Sequence, residues 1–220
     1  MQCIKDTIKN INIVIGCSIG CSYCYARMNN NRFHTIDDFN KPVFFENKLK
    51  MLDNKRHTAY FLTGQSDLSG WNEEWKDKVF SKMKENENTQ YIFLTKRPEN
   101  IKLKETPDNG WFGVTVTSSK EKTRIDYLRN NIKAKHYHIT FEPMFDDVGK
   151  LDLSNISWIV IGTETGNRKG KISSKREWVF NIYNQAKEKN IPVFMKEDLL
   201  GILNEDEFVQ EFPKEFGGIK

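Results

Sequence analysis

The feature that most restricts the fold of this chain is an alternation between short apolar runs and longer, helix-like polar segments. Runs rich in β-branched and aromatic residues occur at residues 11–15, 59–63, 91–95, 112–117, 137–141, 158–162 and 192–195. Between them, residues 75–84, 120–131 and 175–189 carry apolar side chains at helical spacing. This alternation predicts a parallel sheet with crossover helices, and the continuous apolar runs predict strands covered on both faces.

The chain length of 220 residues limits how far such a sheet can close. A complete eight-stranded barrel typically needs about 250 residues. We therefore expect an α/β fold with a partial (β/α) barrel of six or seven parallel strands, with a flat doubly wound sheet as the alternative. We expect one domain over residues 1–220, a core at about 11–200, and a tail at 201–220 that caps the open barrel edge or frays. The functional site is expected at the carboxyl ends of the strands.

Three of the four cysteines lie in one short segment, GCSIGCSYC, at residues 16–24. Cys17, Cys21 and Cys24 have the spacing Cys-x3-Cys-x2-Cys, and Gly16 and Gly20 allow the loop to fold tightly. Three thiolates on one loop can hold three corners of a cubane iron–sulfur cluster. The fourth iron is then open to another ligand.

Cysteines at this spacing can also bind zinc or form a redox pair. Structural zinc needs four ligands, often from two Cys-x2-Cys pairs, and only one such pair exists. The candidates for a fourth zinc ligand are Cys3, His34, His57, His136 and His138. A dithiol redox pair at Cys21 and Cys24 would leave Cys17 without a role. Disulfides are disfavoured because the cysteines are few and crowd one loop.

Composition restricts the compartment and the partners. No apolar run is long enough to cross a bilayer and no signal-peptide segment is present, so we expect a cytoplasmic protein with no membrane partner. The net charge of +4 is compatible with nucleic acid but is also common in enzymes of small substrates. Trp71, Trp75 and Trp111 would favour nucleic acid if exposed, whereas burial in the core is the alternative.

The cysteine spacing resembles the signature of the radical S-adenosylmethionine (SAM) superfamily. In that family three cysteines ligate a [4Fe-4S] cluster, and the open iron binds SAM. Reductive cleavage of SAM then gives a 5′-deoxyadenosyl radical that abstracts hydrogen from a substrate. The resemblance implies that Cys17, Cys21 and Cys24 are the metal ligands and that Tyr23 contacts SAM. It also implies an external electron donor of the flavodoxin or ferredoxin type.

Polar residues that follow the predicted strands supply the remaining candidates. The segment TGQS at 63–66 stands where the superfamily has a Gly-Gly-Glu-like motif, with Gln65 in place of the acidic residue. Lys96 or Arg97 is expected to pair with the SAM carboxylate, while strand threonines meet the ribose. The full set of expected cofactor-binding residues is Tyr23, Thr63, Gly64, Gln65, Ser66, Lys96, Thr115, Thr117, Glu142 and Glu164.

Two glutamates are also the candidate catalytic residues. Glu142 and Glu164 follow apolar runs and are expected at the mouth of the barrel, where a carboxylate can bind a ligand or transfer a proton. The alternative for each is an ion pair with a nearby Lys or Arg. His136 and His138 share one face of a predicted strand, and we expect them to be structural or substrate-facing.

A closer resemblance extends along the chain from about residue 11 to residue 200. The matching strings are GCSIGCSYCYA (16–26), LTKRP (94–98), FGVTVT (112–117), FEPM (141–144), WIVIGTETG (158–166) and PVFMK (192–196). Together they resemble a phage-associated, radical-SAM-like family of unknown function, in which Thr163 and Thr165 are small departures. This resemblance implies the fold and the cofactors, and it makes a partner protein conceivable.

The sequence therefore predicts a radical SAM enzyme with an unidentified substrate. A small barrel leaves a broad lateral opening, so a nucleic acid base or another macromolecule is one candidate. Two alternatives remain. One is a non-catalytic iron–sulfur or zinc protein that binds nucleic acid, and the other is a SAM-binding subunit that needs a partner protein.

Overall fold

The computed structural model describes residues 2–54 and 58–217. His57, one of the zinc-ligand candidates, and the last three residues of the tail lie outside these ranges. The helices of the described residues are α1 (Ile4–Thr7), α2 (Tyr25–Phe33), α3 (Glu73–Glu85), α4 (Thr123–Asn131) and α5 (Arg176–Glu188). The strands are β1 (Ile8–Asn10), β2 (Val14–Ile15), β3 (Val43–Phe44), β4 (Ala59–Phe61), β5 (Gln90–Thr95), β6 (Gly110–Thr115), β7 (His136–Phe141), β8 (Ile156–Ile161) and β9 (Val193–Met195).

Seven strands form one parallel sheet in the order β1-β4-β5-β6-β7-β8-β9. The sheet curls into a half-barrel, in agreement with the predicted α/β fold and partial barrel. Helices α3, α4 and α5 connect consecutive strands of this sheet, as crossover helices do. No helix in residues 2–54 and 58–217 is long and apolar enough to span a membrane.

The prediction for the first strand was wrong. The apolar run at 11–15 does not enter the main sheet, whose first strand is β1, paired with β4 at Ile8 and Ala59. Strand β2 instead pairs antiparallel with β3 in a separate two-stranded sheet. Ile13 and Val14 are fully buried, so the run correctly indicated burial. Burial does not specify which strand supplies the hydrogen bonds, and that explains the error.

The two faces of the sheet form two apolar layers, because successive side chains of a strand alternate between its faces. On the outer face, Phe93 and Phe112 pack in the large cluster that also contains Val79 of α3 and Ile182 of α5. On the inner face, a smaller cluster fills the barrel interior. Its buried members are Ile8, Ala59, Ile92, Trp111, Trp158, Val160, Phe194 and Phe216.

The tail closes one end of this inner layer. Gln210 forms an antiparallel bridge with Phe194 of β9, and Trp158 Nε1 donates a hydrogen bond of 3.1 Å to the carbonyl of Glu211. Phe216 is fully buried against the Trp158 and Trp111 rings. The described part of the tail therefore caps the barrel instead of fraying.

The three tryptophans considered for contact with nucleic acid are not exposed, as the alternative of burial in the core stated. Trp71 and Trp111 are 3% and 1% exposed, and Trp75 is half-buried against the ring of Phe44. These indoles fill apolar layers, the commoner use of large aromatic side chains.

Candidate functional site

The cysteine loop, residues 16–24, follows β2 and leads directly into α2. Gly16 and Gly20 have φ angles of +113° and +77°, in the region that side chains rarely adopt. A Cβ atom on Gly16 would also lie 2.8 Å from the Cα of Pro42. The Arg27 side chain donates a hydrogen bond of 2.8 Å to the carbonyl of Cys17. The loop conformation thus depends on glycine where the sequence has it.

The thiols of the loop differ in their surroundings. Cys24 is the N-cap of α2, and its Sγ accepts a 3.4 Å hydrogen bond from the backbone N–H of Arg27. Burial raises the pKa of Cys17 to about 11, although a backbone hydrogen bond from Ile19 opposes this. A metal ion that binds such a thiol deprotonates it outright, so the charged form of Cys17 is compatible with a bound cation.

A cavity of about 300 Å³ lies between this loop and the carboxyl ends of the strands. The structure brings most of the predicted site residues into its wall, but Gly64, Arg97 and Thr117 do not line it. The polar and thiol residues that do are Cys17, Cys21, Cys24, Tyr23, Tyr25, Thr63, Gln65, Ser66, Asp67, Lys96, Thr115, Thr140, Glu142, Thr163, Glu164 and Thr165. We call this space the cysteine cavity.

The turn after β4 is held by contacts of its own. The Thr63 hydroxyl accepts a hydrogen bond of 2.8 Å from the backbone N–H of Leu94, and the Gly64 carbonyl accepts one of 2.6 Å from the Tyr25 hydroxyl. A Cβ on Gly64 would lie 2.9 Å from the Asn12 amide oxygen, so glycine allows the close approach. Thr63 and Gly64 therefore hold this turn in place, Thr63 through its hydroxyl and Gly64 through its backbone carbonyl.

Sequence reasoning did not select Asp67, a buried carboxylate in the same wall. Its oxygens accept hydrogen bonds of 2.7 Å from the Thr95 hydroxyl and 2.8 Å from the backbone N–H of Lys96. Asp67 is 6% exposed. Its hydrogen bonds tie the ends of two neighbouring strands together. The available signal was an acidic residue four positions after the apolar run 59–63, whereas Glu142 follows its run directly.

Lys96 has no ion-pair partner among residues 2–54 and 58–217. Its Nζ lies 3.5 Å from the Thr115 hydroxyl and 5.8 Å from the centre of the Tyr23 ring. No carboxylate of the described residues comes within 4 Å of it. By contrast, Thr117 is committed elsewhere, since its hydroxyl donates a 2.7 Å hydrogen bond to Glu121. An unpaired ammonium in a cavity wall is suited to bind an anionic group.

Both candidate glutamates form ion pairs. Glu142 contacts Lys196, whose Nζ also lies 3.3 Å from Asp198. Burial opposes the charge of Lys196, but the two carboxylates outweigh it and raise the pKa of Lys196. Burial raises the pKa of Asp198 to about 6 against the attraction of Lys196.

Glu164 is held by its own loop. Its Oε2 accepts a hydrogen bond of 2.8 Å from Arg168 Nη2, and the Glu164 side chain is 2% exposed. This hydrogen bonding lowers the pKa of Glu164. The ion-pair alternative thus describes the contacts of both Glu142 and Glu164.

The donor set can be compared with the two metal centres considered from the sequence. Residues 2–54 and 58–217 contain no group of three His, Cys, Asp or Glu side chains that could hold a single metal ion. In a cubane each thiolate binds a different iron, so cluster ligands need not converge on one point. Three thiols around an adjoining cavity are compatible with that arrangement.

The described candidates for a fourth zinc ligand do not line the cysteine cavity. Cys3 Sγ donates a 3.0 Å hydrogen bond to Glu197. The His136 ring stacks on Trp111, and His138 Nε2 contacts the Phe93 carbonyl at 3.0 Å. None of the described histidines lines the cysteine cavity. The described residues therefore give a four-ligand zinc site no support.

Fold and site together define an α/β half-barrel protein with a cysteine-lined cavity at its strand ends. A family model described as a protein of unknown function, DUF5131, matches residues 2–217. The chain belongs to this family. No curated protein matches the chain, and no solved structure does.

Proposed function

We propose that this chain is a radical SAM enzyme, which holds a [4Fe-4S] cluster through Cys17, Cys21 and Cys24 and binds SAM in the cysteine cavity. The observation that carries the proposal is one cavity wall containing three thiols of a single loop and the unpaired cation Lys96. When bound, such a cluster supplies the electron that cleaves SAM to methionine and a 5′-deoxyadenosyl radical. An external electron donor of the flavodoxin or ferredoxin type would supply that electron to the cluster.

The residues in and around the cavity divide into those that bind SAM and those that position the binding residues. Lys96 pairs with the SAM carboxylate, and the ring of Tyr23 contacts the adenine. Gln65 and Glu142 accept hydrogen bonds from the SAM ammonium, while Thr115 meets a ribose hydroxyl. The positioning residues are Thr63, Gly64, Ser66, Asp67, Thr117 and Glu164, whose polar groups are occupied by the chain itself.

The charges of the wall support a zwitterionic ligand. Glu142 and Glu164 each pair with a cation, and Asp67 accepts hydrogen bonds from Thr95 and from backbone N–H groups. The Lys96 side chain is then left to attract a carboxylate. The second oxygen of Glu142 can still accept a hydrogen bond from an ammonium. A ligand with a negative charge but no ammonium group would pair with Lys96 and would leave the acceptor oxygens of Gln65 and Glu142 without a donor.

The test is reconstitution of the full chain with iron and sulfide in the absence of oxygen. We expect about four irons per chain and formation of 5′-deoxyadenosine from SAM with a strong reductant. Cys21→Ala is expected to abolish both. Cys3→Ala is the matched control and should retain both, because Cys3 lies outside the cavity wall. Normal 5′-deoxyadenosine formation by Cys21→Ala would disprove the proposal.

One alternative keeps a specific motivation. Gln65 stands where the superfamily has an acidic residue, and this departure is compatible with a SAM-binding subunit that is activated by a partner protein. Such a subunit would bind SAM in a titration but would cleave it only after the partner is added. The buried tryptophans remove the aromatic argument for a nucleic acid substrate, so the substrate class must be inferred from other features.

A further inference from the structure

A surface cleft of about 490 Å³ borders the cysteine cavity. The two spaces share Ile19 of the cysteine loop and Lys96 as lining residues. The cleft is formed by residues that follow β5 and by residues before and within the first turns of α4. We call it the basic cleft. Its charged lining residues, besides Lys96, are Arg97, Glu99, Lys120, Glu121 and Arg124.

Two of these charges are engaged with each other and with the chain. Arg124 Nη2 lies 2.8 Å from a Glu121 carboxylate oxygen, and Arg124 Nη1 donates a hydrogen bond of 2.8 Å to the Thr115 carbonyl. The other oxygen of Glu121 accepts hydrogen bonds of 2.7 Å and 2.8 Å from the hydroxyl and the backbone N–H of Thr117. Glu121 and Arg124 together therefore add no net charge to the basic cleft.

The remaining charges leave an excess of positive charge in the basic cleft. Lys96, Arg97 and Lys120 are the cations that remain, and Glu99 is an exposed carboxylate beside them. None of these four side chains forms an ion pair within 4 Å among residues 2–54 and 58–217. Unpaired cations around a concave surface attract an anionic ligand, and a single solvated carboxylate does not cancel three of them.

The structure separates Lys96 from Arg97, which the sequence offered as alternatives for the SAM carboxylate. Lys96 lines both spaces, whereas Arg97 lines the basic cleft and not the cysteine cavity. With Lys96 assigned to SAM, Arg97 and Lys120 remain for a different anion. A guanidinium presents two parallel N–H donors that match two phosphate oxygens. A phosphate monoester carries about −1.5 to −2 charges at neutral pH, so it can pair with both cations at once.

An aromatic ring is accessible in the same cleft. Tyr127 of α4 lines the basic cleft and is 46% exposed, unlike the buried tryptophans. Exposed aromatic rings beside cations are the surfaces on which nucleobases stack. The volume of the cleft lies in the range of small-molecule sites, which suits one nucleotide better than a longer segment.

We propose that the basic cleft binds a nucleotide unit, with its phosphate on Arg97 and Lys120 and its base against Tyr127. The unit comes from a free nucleotide or from a nucleic acid strand, and both present the same groups. The role of this ligand as the reactant rests on the function proposed above. Its binding does not, because none of these three residues lines the cysteine cavity.

The test uses the full chain without iron or SAM, so its result is independent of cluster chemistry. Each of the four ribonucleoside 5′-monophosphates is titrated by calorimetry beside its nucleoside, which lacks the phosphate. At least one monophosphate is expected to bind about tenfold more tightly than its nucleoside, or tighter still, since a hydrogen bond to a charged group contributes at least that factor. A hexaglutamate peptide, which offers carboxylates but no phosphate or base, is expected to bind more weakly than that monophosphate.

Substitutions locate the site. Arg97→Met should weaken binding of the monophosphate about tenfold and leave the nucleoside unchanged, while Arg97→Lys, which keeps the charge, should recover part of the loss. Arg32→Met removes the same group from an exposed position of α2 that does not line the basic cleft, and should change neither affinity. Tyr127→Ala should weaken the monophosphate and the nucleoside alike.

Single-stranded RNA of mixed sequence identifies the source of the nucleotide. A strand ligand binds more tightly than the monophosphate and loses affinity steeply with added salt, whereas a site for free nucleotides prefers the monophosphate; either result supports the nucleotide site. The proposal is overturned if no monophosphate binds more tightly than its nucleoside, or if the Arg97→Met and Arg32→Met variants bind it equally well. Equal binding of hexaglutamate would also overturn it and would indicate a docking face for an acidic protein.

Discussion

The cysteine cavity shares part of its wall with a second cavity of about 340 Å³ inside the half-barrel, the inner chamber, yet the charges of the two cavities are arranged differently. The cysteine cavity contains Lys96, which has no carboxylate partner among the described residues. The inner chamber contains Lys196, which has two. Both lysines directly follow strands of the same sheet, β5 and β9. Position at the end of a strand therefore does not decide whether a charge is available to a ligand.

The contacts made by nearby carboxylates of the same chain decide whether a lysine side chain is available to a ligand. Asp67 accepts a hydrogen bond from the Lys96 backbone N–H, so the Lys96 ammonium contacts the Thr115 hydroxyl and no carboxylate of the described residues. Glu142 and Asp198 instead contact the Lys196 side chain itself. The first lysine is expected to contribute to ligand binding and the second to folding. Substitutions at the two positions separate these roles.

The largest effect is expected for Lys196→Met. The change removes the cation that holds Glu142 and Asp198, and leaves two partly buried carboxylates together. Loss of one partner from a buried ionic group typically costs about 3–5 kcal/mol of unfolding free energy, to be measured by urea denaturation. Lys41→Met removes a cation that is 84% exposed and is the control, with an unchanged midpoint. An unchanged midpoint for Lys196→Met would show that this network is not structural.

The next effect concerns acid stability. Burial lowers the pKa of His138 to about 4 from an ordinary value of 6.5. Between these values the unfolded chain binds the extra proton, so stability falls as pH falls from 6.5 to 4, by about 3 kcal/mol. Asp198 acts in the opposite direction, because burial raises its pKa to about 6 and the folded state then binds the proton more tightly.

The contribution of His138 is therefore isolated by comparison with His138→Gln, which retains a donor for the Phe93 carbonyl but cannot titrate. The unfolding free energy of the Gln variant should decline less than that of the parent between pH 6.5 and 4. Urea denaturation at several pH values gives both curves. Parallel curves would show that His138 is not kept neutral by the inner chamber.

The sheet was largely predictable because its signal is local. Runs such as 91–95 and 112–117 contain little except apolar and β-branched residues, and they became β5 and β6. Residues 11–15 carried the same signal, but their strand β2 pairs with β3 in a separate two-stranded sheet. The pairing partner of a strand is set by residues that are distant in the sequence. The helix α2 was not predicted, since its sequence YARMNNNRF lacks a continuous apolar face.

The site was predictable in its location and less so in its contacts. Parallel strands end at one edge, so Thr63, Lys96 and Glu142 were expected to meet there, and all three line the cysteine cavity. The sequence left open whether Glu142 pairs with a cation, because its partner Lys196 lies 54 positions away along the chain. The inner chamber was not predicted, because a cavity depends on packing that no local pattern encodes.

The smallest of these effects is expected for Lys96→Met, and it tests the other half of the comparison. Met retains much of the side-chain length but removes the charge. Because Lys96 forms no ion pair within the described part of the chain, the urea midpoint should stay unchanged while the affinity for SAM falls about 10–100-fold, the value of one charge-assisted contact. The measurement is calorimetric titration of SAM on the reconstituted protein. Lys84→Met removes the same charge from an exposed position of α3 and should leave the affinity unchanged. Equal affinities of the Lys96→Met and Lys84→Met variants would show that the unpaired ammonium does not bind SAM, whereas a fall in the midpoint would show that Lys96, like Lys196, serves the fold.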